Sequence, residues 1–178
     1  NVQASIEGAL AIFTDAAGYL VHADNETWMD ARREPDKVSY SPRSTRANDI
    51  QALWYEQLRA GADFATALGD EESATRWSVA ADRLRNRFAH DFVDPATGRM
   101  ADHLDARDAP NLQVRPNLLF SVQLLGQADL AWQLFVNMNE IALTRGVVGG
   151  LPENLDAYPH PGESAPRLTG TYLQGWSN

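Results

Sequence analysis

The sequence predicts an all-α fold, and three observations predict it. Long stretches carry apolar residues at steps of three and four. Glycines stand where those stretches stop. No stretch reads as a buried strand.

The elements follow in order. Val2 to Phe13 places Val2, Ile6, Ala9, Leu10 and Phe13 on one face of a 3.6-residue period and ends before Gly18. Arg46 to Leu68 carries Ile50, Leu53, Trp54, Leu58, Ala62, Ala65 and Leu68 on one stripe, and Gly69 terminates it. Asp70 is the expected N-cap of a third helix, with Ala74, Trp77, Ala81, Leu84 and Phe88 facing inward. So short a connection makes the second and third helices antiparallel neighbours. Pro116 suits the first turn of a fourth helix through Leu118, Leu119, Val122 and Leu125, broken at Gly126. A fifth is expected over about 129–143 and a sixth near Tyr172.

The connections alternate in length. Tight turns fall at Gly69 and Gly126, whereas long polar loops occupy 14–45, 93–115 and 145–170. Loops of that length inside a domain are usually functional or disordered. Helical hairpins that display their long loops on one shared face have the layout of an α/α toroid. Six helices are about half of such a ring. The chain opens inside a helix and closes at Trp176-Ser177-Asn178 as another begins, so both ends are expected to be cuts in a larger unit.

Bulk composition removes several function classes. The 178 residues suffice for one domain with a real core, and 44% hydrophobic against 22% charged is an ordinary globular balance. A net charge of -9 disfavours nucleic acid and anionic membranes as partners. With no cysteine, thiolate nucleophiles, disulfides and Cys-ligated metals are ruled out. There is no apolar run of membrane-spanning length and no secretory start, and a cytoplasmic protein is the expectation.

The chemistry that remains is carboxylate chemistry. The chain has no Gly-x-Ser-x-Gly elbow, no Walker loop and no His-Glu-x-x-His. The stretch 94–105 fails as a calcium loop, because Ala96 and Gly98 stand where oxygen ligands belong. The four histidines are scattered. Two acids sit in long loops. Asp30 closes Asn25-Glu26-Thr27-Trp28-Met29-Asp30, an indole two residues from a carboxylate. Glu153 follows Gly149-Gly150-Leu151-Pro152, whose proline gives the backbone a defined extended course. A flat apolar ring beside an acid suits a sugar whose glycosidic oxygen needs a proton. A buried Trp and a solvated Asp is the plainer alternative.

Further blocks carry a resemblance. Thr27-Trp28-Met29-Asp30, then Tyr40-Ser41-Pro42-Arg43, then Asp49-Ile50-Gln51-Ala52-Leu53-Trp54-Tyr55 resemble the C-terminal domain of glycogen debranching enzymes, the amylo-α-1,6-glucosidase family. Arg115-Pro116-Asn117, Gly150-Leu151-Pro152-Glu153 and 170–176 follow in that family's order, so the resemblance covers nearly the whole chain. It implies an (α/α)6 toroid, here about the C-terminal half of the ring, and an inverting hydrolase that removes an α-1,6-linked glucose from a glycogen- or starch-type branch. It implies Asp30 as general acid and Glu153 as general base. Trp28, Arg43, Asp49, Gln51, Trp54, Arg115, Asn117 and Trp176 are the implied sugar-site candidates. The family often has Glu where Asp49 stands, so a contact from this position reaches about one methylene less far.

Two carboxyl groups suffice for this chemistry, and inversion needs them about 6.5–9.5 Å apart. Burial of Asp30 against Trp28 is expected to raise its pKa, since desolvation penalises the charged form. The expected partners are an oligo- or polysaccharide and the remainder of the toroid; no cofactor or metal is expected. The alternatives are another toroid glycosidase, trehalase- or mannosidase-like, or a non-catalytic carbohydrate-binding helical domain.

Overall fold

A computed structural model describes the chain over residues 1–125, apart from 31, 33–35, 40 and 114. The helices expected over 129–143 and near Tyr172, the Gly126 break and the third long loop lie outside the described residues.

Helix α1 spans Val2–Ile12, α2 Asn48–Ala67 and α3 Glu71–Phe92. A 3₁₀ helix, Pro116–Ser121, leads into a single α turn, α4, Val122–Leu125. The fourth helix expected from Pro116 is therefore mostly 3₁₀. Among the described residues no helix is long and apolar enough to cross a membrane.

Helices α2 and α3 form the antiparallel hairpin that carries the core. The chain reverses at Gly69, whose φ of +76° is open to glycine at little cost. The Gly69 N–H donates to Thr66 O at 3.1 Å and the Asp70 N–H to Ala65 O at 2.9 Å. Paired bonds of this kind satisfy the last carbonyls of a helix. Asp70 Oδ1 then accepts from the Ser73 N–H at 3.1 Å and starts α3 as its N-cap. All five inward residues expected of α3 are buried, from Ala74 at 6% to Ala81, Leu84 and Phe88 at 0% exposed.

The expected stripe of α2 is narrower than the sequence indicated. Trp54, Leu58, Ala62 and Ala65 are buried, but Leu53 and Leu68 are 55% and 84% exposed. Leu53 lies one residue before Trp54, about 100° away around the helix, and Leu68 has already left it. In α1, Ile6 is buried while Val2 and Phe13 are 43% and 55% exposed. The three helices meet at Gly61, where an added Cβ would lie 2.3 Å from Ile6 Cδ1 and 3.1 Å from Trp77 Cε3.

A small sheet departs from the all-α expectation. Strands β1 (Arg46–Ala47), β2 (His103–Leu104) and β3 (Pro110–Asn111) are antiparallel in that order, with Arg46 opposite Leu104 and His103 opposite Asn111. Each is two residues long, too short to leave an alternation in the sequence. Arg46 and Ala47 are thus strand rather than the first residues of α2. The sheet joins the end of the first long loop to the second, at the N-terminus of α2. There the Ala47 N–H donates to His22 Nε2 at 2.9 Å and the Asn48 N–H to Asp102 O at 2.9 Å. Donors at a helix start need such outside partners.

Candidate active site

The first long loop is held by several of its own polar side chains and by one from α2. Asp15 Oδ1 accepts from the Ala17 and Tyr19 N–H groups at 2.8 and 3.0 Å. Gln51, on α2, clasps Leu20: its Oε1 accepts from the Leu20 N–H at 2.9 Å and its Nε2 donates to the Leu20 carbonyl at 2.8 Å. Asp24 accepts from the Ser44 N–H at 2.8 Å. Thr27 Oγ1 accepts from the Met29 N–H at 3.2 Å, one residue before Asp30.

At the junction of this loop, the strands and the 3₁₀ helix lies a buried charged cluster centred on Asp102, which is 1% exposed. Arg43 is fully buried, and each of its nitrogens has a carboxylate partner. Nε donates to Asp102 Oδ2 at 2.8 Å, and Nη2 donates to Asp102 Oδ1 at 3.0 Å and to Asp49 Oδ1 at 2.7 Å. Nη1 donates to Asp49 Oδ2 at 3.1 Å. Arg115 completes the set, with Nη1 donating to Asp102 Oδ2 and Nη2 to Gln113 Oε1 at 2.6 Å. Two arginines thus face two aspartates, and the buried charges balance.

Burial pushes the Asp102 carboxyl up. Arg43, the His103 hydrogen bond and Arg115 outweigh it and hold the group far below the usual carboxylate range. Burial pulls the Arg43 guanidinium down, and Asp102 and Asp49 more than reverse this. His22 goes the other way: burial lowers its pKa, and the Ala23 carbonyl that Nδ1 faces at 2.9 Å offsets this only in part. The Ala47 N–H fills Nε2, so the ring holds its proton on Nδ1.

Asn117 carries the cluster to the acid loop. Its Nδ2 donates to Asp102 Oδ1 at 2.9 Å and approaches Met29 Sδ at 3.5 Å. Its Oδ1 accepts from Trp28 Nε1 at 3.0 Å. Trp28 is partly buried, Met29 is 1% exposed, and Asp30 is exposed. The expected burial of Asp30 against Trp28 is therefore not found among the described residues.

Of the sequence candidates, Trp28, Arg43, Asp49, Arg115 and Asn117 come together here, though 89 residues of sequence separate Trp28 from Asn117. The polar groups of Arg43, Arg115 and Asn117 bond to partners within the protein. Gln51 is occupied by Leu20, and Trp54, at 2% exposed, lies in the hydrophobic core. Glu153 and Trp176 lie outside the described residues. Sequence reasoning missed Asp102, Asn48, His22 and His103. One signal was available: two arginines assigned to a shared site require acids, and Asp102, next to His103, is the one acid in the stretch from Met100 to Leu104.

No curated protein matches the chain. A family model does, the one described as amylo-alpha-1,6-glucosidase, over residues 2–144. That span contains Asp30 and the whole Asp102 cluster and stops short of Glu153. The match takes in well over half of the chain, which therefore belongs to the amylo-alpha-1,6-glucosidase family, that of the glycogen debranching enzyme C-terminal domain.

Proposed function

We propose that this chain provides catalytic carboxylates of an inverting glycoside hydrolase that removes an α-1,6-linked glucose from a glycogen- or starch-type branch. The observation that carries this reading is the Trp28-Met29-Asp30 segment, an exposed acid two residues after a partly buried indole, in a chain of this family. Asp30 is the general acid that protonates the departing glycosidic oxygen. Glu153 is the general base that takes a proton from the attacking water. Water then bonds to the anomeric carbon on the face opposite the leaving group, and the configuration inverts. The Trp28 ring covers an apolar face of the sugar. An α/α toroid, completed by the remainder of the ring, forms the walls of the site.

Net charge supports a neutral substrate. With -9 overall, the chain repels polyanions but leaves an uncharged glucan unaffected.

The test uses the native protein and a branched dextrin trimmed to single α-1,6-linked glucose stubs. Asp30→Asn is expected to lower kcat by about 10²–10⁴-fold, the usual span for a lost general acid. KM should change little. Proton NMR of the wild-type reaction should show β-glucose released first. Near wild-type turnover by Asp30→Asn, or α-glucose as the first product, would remove the reading.

A further inference from the structure

The Asp102 cluster does more than fill the core. A buried ion network is often no more stable than well-packed apolar residues of the same volume. What it contributes instead is direction. Both Asp102 oxygens are committed: Oδ1 accepts from Arg43 at 3.0 Å and Asn117 at 2.9 Å, and Oδ2 accepts from Arg43 at 2.8 Å and from Arg115. The carboxylate therefore has one orientation.

That orientation sets the next group. Asn117 has a donor end and an acceptor end. A carboxylate accepts only, so the Asn117 NH₂ must face Asp102. The Oδ1 is then left toward Trp28, whose indole donates only, at 3.0 Å. The same NH₂ lies 3.5 Å from Met29 Sδ. Two consecutive residues just before Asp30 are thus fixed by one amide, and that amide by one carboxylate. Asp30 itself is exposed, so the position of its carboxyl is inherited from the backbone before it.

We propose that Asp102 is a positioning residue for the general acid: through the Asn117 amide it fixes Trp28 and Met29, and so sets where the Asp30 carboxyl meets the glycosidic oxygen. The inference rests on the function proposed above. It assigns Asp102 no contact with substrate.

The role has a signature that plain destabilisation lacks. An α-1,6-linked glucoside leaves as an alkoxide unless Asp30 protonates it. In α-glucosyl fluoride the carbon–fluorine bond breaks to fluoride, which needs no proton, while water still adds to the anomeric carbon and gives its proton to the base. Damage to acid placement therefore lowers the ratio of glucoside to fluoride turnover. General damage to the site lowers both rates alike.

The experiment measures kcat on both substrates for the native protein, Asp30→Asn, Asp102→Asn and Trp28→Phe. Trp28→Phe keeps an aromatic ring but removes the indole N–H together with the five-membered ring that carries it; loss of ring surface over the sugar lowers both rates alike, so only the lost N–H moves the ratio. Asp102→Asn is expected to lower the ratio about 100-fold, the scale of an ångström-sized misplacement. Trp28→Phe should lower it about 10-fold by removing one link of the same chain. If Asp102→Asn does not fold, the Trp28→Phe ratio alone decides. Parallel losses on both substrates, or no loss on the glucoside, overturn the proposal. Asp30→Asn separates the two readings. If it loses nothing on the glucoside, the hydrolase reading fails and takes this inference with it. If it shows the ratio change while Asp102→Asn and Trp28→Phe do not, only the positioning role fails.

Discussion

Arg43 neutralises two buried carboxylates at once, so its loss leaves more exposed to the low dielectric than a single broken bond. Arg43→Met keeps most of the side-chain volume but strands Asp49 and Asp102 without their shared cation. Breaking a buried pair by removing one partner costs about 3–5 kcal/mol. We expect a loss of this size in chemical denaturation of Arg43→Met, with an unchanged m-value. His22 makes a second residue-scale prediction. Its folded pKa lies below the ordinary value of 6.5, so the fold prefers the neutral ring. As pH falls through 6.5 the unfolded chain takes up the proton first. The His22 contribution is thus complete above that value and is lost progressively below it, until the folded ring also titrates. Thermal melts between about pH 7.5 and 5 should show this decline, and His22→Gln should flatten it. The residue scale is also where sequence reading reached least far. Trp28, Arg43 and Asn117 are legible as candidates and the fold brings them together, but a sequence does not distinguish an arginine that reaches a ligand from one that braces a carboxylate. Asp102 carried no motif, and its importance comes from three partners, Arg43, Arg115 and Asn117, that only folding brings near.

At the scale of elements, the α2–α3 hairpin was the most legible part of the chain. Its period, its Gly69 stop and its Asp70 cap all point to the same answer, and the structure bears out the stop, the cap and the buried face of α3, while the stripe of α2 is narrower. The two-residue strands were illegible for the opposite reason: their pairing is set by partners distant in sequence, not by a local pattern. Gly61 was equally silent. In a helix interior an alanine is ordinarily better than glycine by about 0.5–1 kcal/mol. Here the new methyl meets the Ile6 terminus and the Trp77 ring, both from buried side chains. Overpacking of this sort costs about 1–3 kcal/mol. Gly61→Ala should therefore be destabilising on balance, and the loss should shrink in a Gly61→Ala, Ile6→Val double variant. A double-mutant cycle on unfolding free energies measures that coupling.

Across the whole molecule, two of the three long loops expected on one face do converge. Loop 14–45 and loop 93–115 meet through Arg43, Asp102 and Asn117, and Arg46 adds a link between Asp15 at 3.5 Å and the Asp105 carbonyl at 2.8 Å. Loops joined through one buried cluster should open together rather than singly. In hydrogen-exchange mass spectrometry, the Thr45, Ala47 and Asn48 amides should be protected nearly as well as mid-α2, although they lie at a loop end. Arg43→Met should release the loop, strand and 3₁₀ segments in step, while α3 keeps its protection. Separate responses from the three segments would show that the cluster does not couple them.

The Asn117 amide is the narrow point of this arrangement, because its two ends are read by opposite partners. An aspartate in its place would set carboxylate against carboxylate at Asp102. It could satisfy Asp102 and the indole together only as the uncharged acid, with its hydroxyl toward Asp102. One substituted atom would thus turn a permanently set hinge pin into a titrating one, and the seating of the acid loop would come to depend on ambient proton activity.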